Sequence, residues 1–471
     1  MTAGAASALE LAAEVRGGRR RARDVLEEHL ERVATREGEL HAFNLVLADD
    51  ARASADRLDA SIAAGDDPGP LAGVPVAIKD NLCTRGTTTT CGSRILETWR
   101  PPYDATVVTR LRDAGAVLVG KTNLSDMGVS PEASSYVAGS TVNPYDDRRT
   151  AGGSSGGAAA AVAFGMQGFD WGTDIGGSIR LPAAFCGVLG LRLSSSVWPM
   201  PDMFPTPPPA LTSMCGMGPI TQTLPQMRAV LDAAAPRLRT GTPRPFEPRG
   251  AAIYAPVKGK WPNFAADLEP HLRNVLSDVR LDTDLPRGPR LTRAYLSMWS
   301  SHLTELTNAD PTLSFVEGVR ATLSSVLLRG RFGDRRMHTS SAEIFLIMAM
   351  ARLFGMRDKQ RAIAGMIEVR GKFENLWDQG YVVVAPVCVF PPPIIGRTNW
   401  NPQMLACTMA GNLADATGIA IPFGTFGPLP RAIQVLGPPG SETHLLDIAE
   451  RLIESRDRDA AQRPVQPPGR T

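Results

Sequence analysis

The chain has little of what disulfide-stapled or zinc-stapled proteins depend on. Only 6 cysteines occur in 471 residues (Cys83, Cys91, Cys186, Cys215, Cys388 and Cys407), with no Cys-x-x-Cys pair and no Cys/His cluster. This argues against a disulfide framework and a zinc site and points to a reduced compartment, so a cytoplasmic location without metal is expected. Long apolar runs are missing too. The longest, Ile344 to Ala351, is followed by Arg352 and falls far short of the roughly 20 residues that cross a bilayer. The opening stretch has no basic start before an apolar core, and Glu10 interrupts it, so no signal peptide is expected. Charge of one sign is not in excess: 50 Lys and Arg against 48 Asp and Glu leave a formal charge of +2. No global field draws the chain to nucleic acid or anionic lipid.

What the chain has instead is punctuation. Its 45 glycines and 39 prolines predict many turns between regular elements, short of a low-complexity composition. Hydrophobic residues at 43% and charged residues at 21% suit a globular protein, and a chain this long can bury about three quarters of its extended surface. Length alone suggests two or three domains. Residues 1–65 read as amphipathic helices, with Val25, Leu26, His29, Leu30 and Val33 at helical spacing. Val74 to Ile78 reads as a strand with Lys79 leaving its end. Residues 105–112, Gly115 and residues 116–119 then give helix, glycine stop and strand, the rhythm of an α/β fold. Six prolines between positions 199 and 209 predict an irregular loop, 236–250 a linker, and about 264–378 a mainly helical stretch with no catalytic cluster. Tyr381 to Val384, Ile419 to Ile421 and Ile433 to Val435 read as further strands, and the polar, proline-rich tail 456–471 as disordered.

Three local features carry chemistry. The first is Leu71-x-Gly73-x-Pro75-x-x-Ile78-Lys79-Asp80-Asn81, the second Gly152-Gly153-Ser154-Ser155-Gly156-Gly157 opening a helix, the third Asp174-Ile175-Gly176-Gly177-Ser178-Ile179-Arg180. Each alone has a plain reading: a solvated lysine, a flexible linker, a turn. No Gly-Lys-Ser/Thr follows the glycines, so the second is not a phosphate-binding loop. Together they make a nucleophile, a relay and a base. Glycines before Ser178 let consecutive backbone N–H groups converge on one negative oxygen. No histidine lies in any of the three, and the 6 in the chain (His29, His41, His271, His302, His338 and His444) read as surface or core residues. Apart from Asp80 and Asp174, Lys79 is the base at hand. It serves only when neutral, and a fall from about 10.4 to a working range of roughly 7–8 needs about 4 kcal/mol of differential stabilisation. Burial supplies that.

These motifs, in this order, resemble the signature of the amidase signature family. The spacings of 75 residues from Lys79 to Ser154 and 24 from Ser154 to Ser178 fit that pattern. Further matches run through most of the chain, among them Gly120-Lys121-Thr122-Asn123, Asn143-Pro144, Gly218-Pro219 and Ala385-Pro386. The resemblance implies one α/β/α domain over residues 66–455, with a large twisted mixed sheet covered by helices on both faces. Residues 1–65 would pack on it as a helical segment, and 264–378 would be an insertion. It also implies a triad of Ser178 as acylated nucleophile, Ser154 on a cis peptide bond as bridging serine, and Lys79 as base. The N–H groups of Ile175, Gly176, Gly177 and Ser178 would form the oxyanion hole. Met127 and Gly128 would line the acyl pocket, and Asp174 and Arg180 would pair to tie the loop down. No cofactor is implied. Two departures stand out: Gly190-Leu191-Arg192-Leu193-Ser194 lacks the family's usual proline, and Gln222 stands where an arginine is usual.

The implied activity is an amidohydrolase that splits a small-molecule or lipid amide into acid plus amine or ammonia, with no nucleic-acid partner and with a homodimer compatible. Three alternatives stay open. One is a lipid amide hydrolase in contact with a membrane, because Ile344–Ala351 with Leu353, Phe354 and Met356 stands where the fatty acid amide hydrolase branch carries an apolar cap. The plain reading of that segment is a buried core helix. Another is the glutaminase subunit of a tRNA-dependent amidotransferase, whose distinctive substrate-binding stretch is not seen. The last is a binding protein on the same scaffold, against which the intact Lys79, Ser154 and Ser178 stand.

Overall fold

The computed structural model describes residues 8–198, 203–234, 243–281, 284–308, 324, 337–399, 401 and 403–462. Its strands, in chain order, are β1 (Phe43–Val46), β2 (Pro75–Lys79), β3 (Val117–Thr122), β4 (Ser134–Ser135), β5 (Gly139–Ser140), β6 (Val142–Asn143), β7 (Asp146–Thr150), β8 (Phe169–Asp174), β9 (Leu189–Arg192), β10 (Gly216–Thr221), β11 (Gly250–Ile253), β12 (Asp278–Leu281), β13 (Tyr381–Pro386), β14 (Thr417–Phe426) and β15 (Leu429–Gly437). Eleven of them form one mixed sheet in the order β1-β3-β2-β8-β10-β9-β14-β15-β13-β11-β12. Two parallel groups, β3-β2-β8 and β13-β11-β12, are joined by antiparallel pairs.

Alternation along the strands splits the core between the two faces of the sheet. β2 sends Val76 and Ile78 into one apolar cluster and Ala77 into the other, and β3 does the same with Leu118 against Val117 and Val119. One face is covered by the helices Thr106–Asp113, Leu224–Ala234, Phe264–Arg273, Gly288–Ser301, Lys359–Asp378 and Glu442–Gln462, and the other by Ala22–Leu40, Gly156–Ala163 and Arg180–Cys186. The single α/β/α domain expected from the resemblance is what the chain forms, and the two or three domains suggested by length are not.

Several boundaries need correction. Residues 1–65 are not helical throughout: besides the helices Ala8–Arg16, Ala22–Leu40 and Ala48–Ala63, β1 pairs antiparallel with β3 at the sheet edge. That segment is therefore part of the sheet, with Val25, Leu26, His29, Leu30 and Val33 buried as their spacing predicts. The stretch 264–378 is interrupted by β12, a four-residue edge strand whose exposed residues leave no apolar alternation to read. β11 begins at Gly250, inside the expected linker, of which residues 235–242 lie outside the described residues. The expected tail starts too early. The last helix runs to Gln462, with Arg456 reaching back to the Pro422 carbonyl at 2.5 Å, while residues 463–471 lie outside the described residues. In the proline-rich loop, residues 199–202 lie outside the described residues, and Pro209–Thr212 forms one helical turn.

Candidate active site

β2 and β8 are parallel neighbours, with Ile78 opposite Trp171, so their C-terminal ends lie side by side. Lys79 ends one strand, and Thr173 and Asp174 end the other. Crevices outside the carboxyl ends of parallel strands are where open α/β sheets collect their ligands. Lys79 is fully buried there, and its Nζ reaches Ser154 Oγ at 2.7 Å, Thr173 Oγ1 at 2.9 Å and the Thr173 carbonyl at 3.3 Å. Asn81 Nδ2 also donates to Thr173 Oγ1, at 3.1 Å. Burial pushes the Lys79 ammonium down to about 7, against the attraction of Cys91, Asp174 and Asp170. The neighbouring Asp80 is turned away: its carboxylate pairs with the buried Lys121 at 3.0 Å and accepts from Asn44 and Thr90. Lys121 completes its own set on the Leu82 carbonyl and Thr89.

The glycine-serine stretch is no flexible linker. It crosses the same strand ends and enters the helix Gly156–Ala163, which is buried on every side. The Gly153–Ser154 peptide bond is cis. A Cβ on Gly157 would stand 2.4 Å from the Ala42 carbonyl oxygen and 2.6 Å from Asn123 N, so only glycine admits that close approach. The Ser155 N–H donates to the Ser178 carbonyl at 3.1 Å, joining the second motif to the third. Ser154 and Ser178 line one cavity.

The third motif is held from below by Asp174. Its carboxylate accepts the Gly177 N–H at 2.8 Å, the Ile179 N–H at 3.1 Å and two bonds of 3.0 Å from Arg180, and Asn412 Nδ2 adds 2.9 Å. Burial pushes this carboxyl up, but Arg180, Arg192 and Asn412 outweigh it and hold the group below the usual carboxylate range. The Asp174–Arg180 ion pair thus forms, both partners fully buried. One expectation changes: the Gly177 N–H is spent on Asp174. The N–H groups of Ile175, Gly176 and Ser178 have no hydrogen bond to another described residue. The loop is clamped from above as well. Thr408 Oγ1 donates to the Gly176 carbonyl at 2.5 Å, and the Tyr295 hydroxyl donates to the Ile175 carbonyl at 3.4 Å. At Gly177, with φ +123, a Cβ would meet Thr408 Oγ1 at 2.3 Å.

The expected pocket residues Met127 and Gly128 line the cavity with both serines. Both have positive φ, 56° and 70°, a strained conformation for methionine. Asp126 secures that turn. Fully buried, it accepts the His338 N–H at 2.5 Å, and its carbonyl accepts Ser341 Oγ at 2.6 Å, at the start of the helix Thr339–Leu353. Burial pushes its carboxyl up to about 8. That helix is not the buried core element of the plain reading. Phe345 faces the cavity, Met348 and Ala351 are buried, and Ile347, Met350 and Leu353 are exposed, as is Phe354 beyond its end. The departures from the family pattern also find partners: Arg192 is fully buried against Asp415 and the Met214 carbonyl, and Gln222 Nε2 donates to the Val162 carbonyl.

Residues 24–253 match the family profile described as Amidase. The A subunit of glutamyl-tRNA(Gln) amidotransferase from a Synechococcus strain is 35% identical over 96% of this chain and 98% of its own length. The chain belongs to the amidase signature family. The corresponding protein from Heliobacterium modesticaldum is 33% identical over 92% of this amidase and 93% of its own length. Among solved structures, a chain from a vestigial complex tied to the origins of an s-triazine catabolic enzyme matches with TM-score 0.77 at 26% identity, covering 96% of this chain and 98% of that one. Peptide amidase from Stenotrophomonas maltophilia shares the fold, with TM-score 0.75 at 24% identity, covering 97% of this chain and 98% of that one. This amidase is an amide-hydrolysing enzyme. No helix among its described residues is long and apolar enough to cross a membrane.

Reading along the chain gave Lys121 no role beyond its place in the Gly120–Asn123 match, and it missed Thr173, Tyr295, Thr408 and Asn412. Thr173 carries no motif signal, and the last three come from segments distant in sequence. No histidine is among the described residues lining the cavity, and His29 is a buried residue held on the Val25 carbonyl.

Proposed function

We propose that this amidase cleaves a carboxylic amide through an acyl-enzyme on Ser178, with Ser154 as proton relay and neutral Lys79 as general base. The observation that carries the reading is the 2.7 Å contact of Lys79 Nζ with Ser154 Oγ, made by a lysine held at about 7. A neutral amine has two N–H groups and one lone pair. Here the two N–H groups have acceptors in the Thr173 carbonyl and hydroxyl, which leaves the lone pair for the Ser154 proton. Ser154 then accepts the proton of Ser178 as Ser178 Oγ attacks the amide carbon. The oxyanion forms toward the free N–H groups of Ile175, Gly176 and Ser178. When the tetrahedral intermediate collapses, the C–N bond breaks, and the amine leaves with the proton returned through Ser154. Water, activated by the same relay, releases the acid. Mass spectrometry after a fluorophosphonate probe tests this. We expect one adduct on Ser178, absent in Ser178→Ala, and no amide turnover in that variant. An unlabelled Ser178 in active enzyme refutes the assignment.

A second reading, the glutaminase subunit of a tRNA-dependent amidotransferase, is favoured by the 35% identity to a protein of that kind. It requires glutamine hydrolysis that appears only with the partner subunits present. The lipid amide reading rests on the exposed apolar residues of the helix Thr339–Leu353 beside the cavity. Failure to float with liposomes, with a preference for short-chain amides, removes it.

A further inference from the structure

We infer that the acyl pocket of this amidase selects an uncharged, apolar acyl group and rejects amides that carry a carboxylate, free glutamine included. The inference rests on the acyl-enzyme reading above. The described walls around Ser154 and Ser178 are Met127, Ile175, Met203, Phe204, Trp299 and Phe345, with neutral polar contributions from Asn81, Thr173 and Thr206. Phe204 is braced by stacking on Trp99, ring centroids 4.3 Å apart. The one titratable group among the described lining residues besides the two serines is Cys215, whose thiol burial pushes up to about 12. It is neutral, and its S–H is spent on the Leu211 carbonyl at 3.3 Å.

Among the described residues, the charged side chains buried nearby are already committed. Arg180 is spent on Asp174, Gln434 and Asn412, Arg192 on Asp415, and Lys121 on Asp80. Lys79 is held on Ser154 and Thr173, and a lysine that has lost its proton carries no charge to offer. A substrate carboxylate entering this slot would exchange its water for Met, Phe and Trp side chains, with no cation among the described residues that line it. An unpaired buried charge is strongly unfavourable. The ammonium of an amino acid fares no better: no carboxylate is among the described lining residues, and the two next to them in sequence, Asp174 and Asp126, are engaged by Arg180 and by the His338 N–H. An alkyl or aryl acyl group loses its hydration shell to the same walls at a gain.

The test compares pentanamide with glutaramate, which has the same backbone with the terminal methyl replaced by carboxylate. L-glutamine is the third substrate, the full-length chain is used, and ammonia release is the readout. The expected result is a kcat/KM for pentanamide at least about a hundredfold above that for glutaramate or L-glutamine, or about 2.7 kcal/mol. Phe345→Arg, which puts a cation on the wall, should narrow that ratio at least about tenfold while Ser178 still takes the fluorophosphonate. Turnover of glutaramate or L-glutamine within about threefold of pentanamide, with Ser178 labelled, overturns the selectivity and leaves the acyl-enzyme intact. No turnover of any amide and no Ser178 adduct brings down the acyl-enzyme reading, and this inference with it.

Discussion

Replacing Lys79 with methionine separates the chemistry of the amine from the energetics of burying it. Methionine fills much of the same fully buried slot and removes the hydrogen bonds to Ser154 and Thr173. A positioned general base contributes about 10² to 10⁴ in rate, so kcat/KM should fall by about that factor at pH 8. Stability should move the other way. In the unfolded chain the lysine keeps its proton up to its usual 10.5, and in the folded protein only up to about 7. Between those values the unfolded state binds more protons, so wild-type stability rises with pH by at most about 1.4 kcal/mol per pH unit from this group. Below pH 7 the folded protein carries the whole burden, on the order of 4 to 5 kcal/mol by the same conversion. Lys79→Met lacks this term. Its stability relative to wild type should therefore be highest near pH 7 and decline steadily toward pH 10.5. Urea unfolding at pH 7, 8, 9 and 10 measures it. A difference that stays flat over that range refutes the neutral buried amine, and wild-type kcat/KM in the variant refutes the base. The wild-type pH–rate profile should show the matching limb, rising with a midpoint near 7.

Other consequences follow from the loop around Ser178. Asp174→Ala leaves Arg180 without its carboxylate in a fully buried position, which should cost about 3–5 kcal/mol in urea unfolding; a loss below about 1 kcal/mol contradicts the role given to this pair. Gly177→Ala drives a Cβ to 2.3 Å from Thr408 Oγ1 and shifts the N–H groups on either side. A kcat lower by about 10² to 10³, with a native circular dichroism spectrum, is expected; activity within about twofold of wild type shows that the loop tolerates what the geometry forbids.

Much of the centre could be read along the chain because its parts are short and local. A lysine closing a strand, glycines that let backbones touch and a serine behind Gly-Gly each leave a mark within ten residues. β8 left none, although it lies at the heart of the site. Its Asp170, Gly172, Thr173 and Asp174 break any apolar pattern, and the strand forms because β2 and β10 satisfy its backbone from both sides. β12 was unreadable for the opposite reason, being mostly exposed at the sheet edge.

The sequence by itself determined the family and its amide chemistry, and it singled out Lys79, Ser154 and Ser178 and the glycines around them as the candidate site. Only the tertiary structure decided that Lys79 is buried, which pushes its ammonium down, and that the loop around Ser178 is clamped. Asp80, adjacent to Lys79 in sequence, is drawn off by Lys121 from the neighbouring strand. Tyr295 and Thr408 close on the loop from 120 and 232 residues away. It also engaged the Gly177 N–H with Asp174 and put no charged side chain among the described residues that line the cavity. The reason is physical. Proton affinity and selectivity depend on which groups share a water-free space, and that is settled by contacts between segments far apart in the chain.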